Sequence, residues 1–151
     1  LYHQDWTVFE NDTADLLLTS DNPAAFFYPS GVGNPMARIF PITPRLCVFM
    51  VLDPARIVQV APGDVASALR QPPLGKLGYG RMKPSGVAHA NLQIAQCAED
   101  LVFSSAPSPA VASLVSSVKD QRIECEYVIV PTDGGESEIQ GAILKVGIRG
   151  T

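Results

Sequence analysis

Strands that outnumber helices, helical periodicity that comes late, and an alternating tail around a glycine turn place this sequence in the α+β class. The expected architecture is a mainly antiparallel or mixed sheet with two helices, over about residues 87–98 and 108–119, and a C-terminal β-hairpin. At 151 residues the chain has the size of one domain, able to bury roughly 70% of the surface its unfolded form exposes. No internal repeat or composition break divides it, so residues 1–151 are expected to form a single domain.

Trp6-Thr7-Val8-Phe9 reads as a short strand, closed by the polar turn Asn11-Asp12-Thr13. Leu16-Leu17-Leu18-Thr19 is a compact apolar run that stops at Ser20-Asp21-Asn22-Pro23. Ala24 to Tyr28 continues extended until the Pro29–Pro35 segment forces a loop. Ala37 to Ile42 is a further strand. Leu46 to Leu52 is apolar throughout and is bounded by Pro44 and Asp53-Pro54, which predicts a strand covered on both faces. Ile57 to Val60 adds a short strand. Gln71 to Gly86, dense in proline and glycine, is expected to be a loop. Val87 to Ala98 then has helical spacing, with Asn91, Ile94, Ala95 and Ala98 on one face. Leu101 to Ser104 reads as a strand. Ser108 is placed as N-cap and Pro109 as the first helical residue of a helix running to about Lys119, with Val111, Leu114, Val115 and Val118 facing a core. Glu124–Val130 and Ala142–Ile148 alternate on either side of Asp133-Gly134-Gly135, the pattern of a hairpin.

Composition excludes several classes. Hydrophobic residues make up 46% of the chain and charged residues 17%, a balance that favours a packed core over disorder. The 11 basic against 15 acidic residues leave a net charge of −4, which disfavours nucleic-acid binding. No apolar run approaches the ~18–20 residues of a membrane span. Cys47, Cys97 and Cys125 are odd in number and widely spaced, so they form no disulfide framework and read as small core residues. A reducing, cytoplasmic compartment follows.

The polar stretch Thr19-Ser20-Asp21-Asn22-Pro23, expected at the end of an apolar strand, admits two readings. Ser20 or Asp21 caps backbone N–H groups in a turn, or Asp21 and Asn22 project into a cleft towards a ligand or metal. Asn91 shares the apolar stripe of its helix, so its amide requires a hydrogen-bond partner; the Ser20–Asn22 turn is the expected one. Three segments then stand in order: Leu17-Leu18-Thr19-Ser20-Asp21-Asn22-Pro23, Phe40-Pro41-Ile42-Thr43-Pro44-Arg45-Leu46, and Asn91 with Ala98 and Val102-Phe103-Ser104. Together they resemble the domain of unknown function 4238 family over about residues 6–105. Members of that family usually carry an additional N-terminal half with a His- and Pro-containing opening motif, and nothing here corresponds to it. The chain also opens at Leu1 and not Met, so it is expected to be the C-terminal part of a longer protein of bacterial type. The resemblance implies no reaction, since the family has no established activity.

Other motifs carry little chemistry. Gly31-Val32-Gly33 lacks the dinucleotide-binding spacing, and Gly75-Lys76 is no phosphate loop. His3 and His89 have no ligand-spaced companions, so neither a metal site nor a cofactor is expected. Arg70, Lys76, Arg81 and Lys83 lie in a stretch without acids between Asp64 and Glu99, and form either a solvated loop or an anion-binding one. The expected function is ligand or partner binding near Ser20, Asp21, Asn22, Arg45 and Asn91, with a protein or an N-terminal domain as possible partner. The alternative is a hydrolase, such as a metal-dependent nuclease, with Asp21 as metal ligand or base and the remaining groups in a missing half.

Overall fold

The computed structural model describes residues 4–27, 37–52, 75–131 and 137–148. The elements run β1 (Gln4–Glu10), β2 (Thr19–Ser20), β3 (Ala25–Phe27), β4 (Ala37–Thr43), β5 (Leu46–Leu52), β6 (Leu77–Arg81), α1 (Pro84–Cys97), β7 (Val102–Phe103), α2 (Pro109–Val118), β8 (Gln121–Pro131) and β9 (Ser137–Ile148). The class is α+β, as the sequence pattern requires.

Among the described residues the main sheet has the order β3-β4-β5-β1-β6, with β2–β7 and β8–β9 as separate two-stranded pairs. β1 pairs antiparallel with β5 and parallel with β6, so the sheet is mixed. Its inner face follows from the period of two. Phe9 stands beside Cys47, and Ile39 beside both Phe49 and Ala25. Phe49 meets the edges of Phe9 and Phe27 at centroid distances of 5.0 and 5.7 Å. Helix α1 covers this face with Val87, Ala90 and Ile94, all essentially inaccessible. Cys47 and Met50, on opposite faces of β5, are both buried, in keeping with an all-apolar strand.

Several expectations are corrected. Residues 77–81 are not loop but strand β6, and α1 begins at Pro84 instead of Val87. The glycines that suggest a loop have a packing role: a Cβ on Gly80 would come within 2.7 Å of the Phe9 ring, and one on Gly78 within 3.2 Å of Thr7. Pro84 occupies the first turn of α1, where its missing N–H costs nothing. Leu16–Leu18 are not in a strand; only Thr19 and Ser20 pair, with Phe103 and Val102. The hairpin strands extend further than their alternation suggests, with a register shift between Val128 and Ile129. The Pro29–Pro35 loop, the Ile57–Val60 strand, the Asp133-Gly134-Gly135 turn, His3, Gly31-Val32-Gly33, Arg70 and the start of the Gln71–Gly86 segment lie outside the described residues.

Candidate functional site

Asn91 lies on the inner face of α1 and is only 8% exposed. Its Oδ1 accepts from the Leu18 N–H at 2.9 Å, and its Nδ2 donates to the Leu16 carbonyl at 2.9 Å. One amide thus acts as a short piece of sheet edge for a strap of chain that has no strand partner there. This corrects the expected pairing: the hydrogen bonds of Asn91 go to the residues preceding the Ser20–Asn22 turn and not to the turn. Leu17 and Leu18 are 3% and 1% exposed. Their side chains enter the core while Asn91 satisfies the backbone groups on either side of Leu17.

The turn itself is held by the other end of the same helix. Asn22 Nδ2 donates to the Cys97 carbonyl at 3.3 Å, one of the orphan carbonyls at a helix C-terminus. The Asp21 carboxylate accepts from the N–H groups of Glu99, Asp100 and Leu101 at 2.9, 2.7 and 3.1 Å, and from Asn22 at 3.1 Å. In return the Asp21 N–H donates to the Leu101 carbonyl at 3.2 Å. Loss of water around the carboxyl would raise its pKa, but the N–H groups of Asp100, Glu99, Leu101 and Asn22 outweigh that effect and hold it below the ordinary value. The Ser20 hydroxyl donates to the Asn22 carbonyl at 2.7 Å. These bonds form the capping turn, the first of the two sequence readings.

Arg45 is remote from this latch in its bonding. Its Nη1 donates to the carbonyls of Asn11, at 3.2 Å, and Thr13. There it braces a second buried amide: Asn11, 1% exposed, donates to the Asp15 carbonyl at 2.8 Å and accepts from the Thr13 N–H at 3.0 Å. The sequence pattern places Asn11 in the polar turn that closes β1 and gives no sign of its burial. Continuing the alternation Thr7, Phe9, Asn11 would have put it on the core side.

Among the cations, Arg81 pairs with Asp12 at 3.2 Å. Both groups are largely in water, so the pair contributes little. The Lys76 N–H donates to Asp5 at 2.8 Å, and Lys83 stands at the N-cap position of α1. Of Lys76, Arg81 and Lys83, Arg81 is thus the one whose charged group stands beside an acid among the described residues, since the Lys76 contact with Asp5 is made by its backbone N–H. Burial pushes the Cys47 thiol up to about 12 and raises that of Cys97, against a hydrogen bond from Phe26, which favours the protonated thiol at both positions. Cys125 is carried by β8.

Asn91 also borders a cavity of about 410 Å³ between α1, α2 and the chain at residues 14–16. Leu16, Val111 and Leu114 supply its apolar wall, and Ser104 and Ser108 its hydroxyls. Ser108 is the N-cap residue of α2 as expected, but its side chain makes no capping bond. A second cavity of about 320 Å³, lined by Leu18, Pro41, Ile42 and Phe103, adjoins Ser104 on its other side. Among the described residues no three His, Cys, Asp or Glu side chains converge to hold a metal, and no helix is long and apolar enough to cross a membrane.

A family model described as a protein of unknown function (DUF4238) matches residues 1–108. No curated protein and no solved structure matches the chain. The family match ends at Ser108, so α2 and the β8–β9 hairpin lie beyond it.

Proposed function

Because the chain belongs to the DUF4238 family, whose description names no activity, we propose from geometry that it is a ligand-binding domain whose pocket is the cavity beside Asn91. In this reading Ser20, Asp21, Asn22 and Arg45 build the scaffold that holds the pocket wall, and Asn91 serves both wall and ligand. The supporting observation is the lining of that cavity. An apolar wall carries a buried amide with hydrogen-bonding capacity beyond its two backbone bonds. Beside it stands a serine hydroxyl that the adjoining helix end does not use. The volume falls within the roughly 300–1,000 Å³ of small-molecule sites. Asp15 is the one charged residue among those lining it, which favours a neutral or cationic ligand with an apolar body over an anion. No observation favours the hydrolase alternative, since the Asp21 carboxylate is engaged by four N–H groups.

Thermal-shift screening of the full chain against neutral and cationic small molecules tests this proposal. Binders should raise the melting temperature and perturb the backbone resonances of Asn91 and Ser108. Ala110→Trp, at an exposed position on the cavity rim, should abolish those shifts while the protein stays folded. Binding unaffected by that substitution would place the ligand elsewhere and defeat the proposal.

A further inference from the structure

Among the described residues β6 is an edge strand, and its outer side carries an unused set of backbone groups. The Trp6 N–H donates to the Lys76 carbonyl and the Met82 N–H to the Glu10 carbonyl, both at 2.8 Å. This phase of the parallel ladder directs residues 76, 78, 80 and 82 towards β1 and turns Leu77, Tyr79 and Arg81 outward. Among the described residues no hydrogen bond meets those outward groups. The strand's large side chains are exposed as well, Leu77 at 61% and Tyr79 at 78%. Leu-Gly-Tyr-Gly-Arg has no proline, no lysine and no register shift against β1, three of the devices that blunt a sheet edge, and Arg81 at its end is its one charge.

We infer that this edge pairs antiparallel with the same edge of a second copy of the chain, on a two-fold axis through Tyr79. The outward groups are symmetric about that residue, so the strand is its own complement. Tyr79 meets Tyr79 of the second copy, and Leu77 meets its Arg81, giving three pairs that exchange two backbone bonds each, about six in all. Side chains support this register. Val8 flanks Tyr79 on the same face, so the central row is apolar across the axis. Trp6, 40% exposed, flanks Leu77 and extends the apolar surface to either side. The two copies' Arg81 residues stay four strand positions apart, about 13 Å, beyond the ~8 Å over which salt leaves charges coupled. An edge contact of this size is weaker than a standard interface, so association is concentration-dependent.

Sedimentation equilibrium of the full chain, from about 1 μM to 1 mM, reads the proposal directly. The average mass should rise from one chain towards two. Tyr79→Pro removes an outward N–H and leaves the β1–β6 ladder intact, so it should weaken dimerisation at least about tenfold without loss of the fold. Tyr79→Lys, at an exposed position, sets two like charges on the axis and should do the same if the proline variant fails to fold. Tyr79→Cys should form a symmetric disulfide dimer under mild oxidation, because directly opposed residues stand about 5.5 Å apart. A chain that stays monomeric across the range would overturn the proposal. So would dimers unaffected by both the proline and lysine substitutions, or an edge occupied instead by a strand from another protein.

Discussion

Two buried asparagines do at single positions what sheets do along whole strands. Asn91 meets the N–H of Leu18 and the carbonyl of Leu16, both in a strap whose side chains are core. Asn91→Ala would leave both backbone groups without a partner, at a cost of about 3 kcal/mol. Chemical denaturation should register it as a lower midpoint with an unchanged slope. Asp21 makes a different prediction. Its folded pKa lies below the unfolded value, so its contribution is complete above the unfolded carboxylate range and is lost as pH falls through the folded value. Asp21→Asn should therefore lower the melting temperature at neutral pH, and the gap from the native protein should close in acid. A gap that is constant with pH would mean the carboxylate charge plays no part in the latch.

At the scale of elements, β6 shows how packing reverses a composition signal. Glycine-rich sequence argues against a strand, yet the two glycines occupy the inner face where Thr7 and Phe9 of β1 already fill the space. Phe9 is itself fixed edge-on against Phe49. A methyl group at position 80 would force that ring to move, so Gly80→Ala should destabilise the protein by about 1–3 kcal/mol. Gly78→Ala, against the Thr7 side chain, should cost less. The ordering of the two melting temperatures checks the argument. Helix α1 is the complementary case. Its apolar stripe is plain at helical spacing: Asn91, Ile94, Ala95 and Ala98, the residues the spacing selects, are all buried, and Val87, Ala90 and Cys97 join them.

For the whole molecule, the position of the core decides what can be removed. The fully buried core cluster spans Leu17 to Cys97; Val102, Val111, Leu114 and Ile123 only flank it. The β8–β9 hairpin joins the body at its base, where Gln96 donates to Gln121 at 2.8 Å and Ile123 packs against the core. A chain ending after Asp120 should therefore still unfold in one cooperative transition, at a lower temperature than the native protein. Loss of cooperativity would show that the ribbon is part of the main folding unit.

Local periodicity by itself determined the fold class, the strands β1, β4 and β5, both helices to within three residues, and the hairpin, because alternation and helical spacing are short-range signals that burial imposes directly on the chain. It also showed that Asn91 had to find a partner, because an amide on an apolar stripe cannot go unpaired. Which partner it found was decided only by tertiary structure, as were the strand at Leu77–Arg81, the buried Asn11 and the attachment of Arg45 to Asn11 and Thr13 instead of to the Asp21 turn. Each of these depends on segments some 30 to 80 positions apart meeting in space, and such encounters are set by how the sheet and helix pack, which leaves no local mark in the sequence.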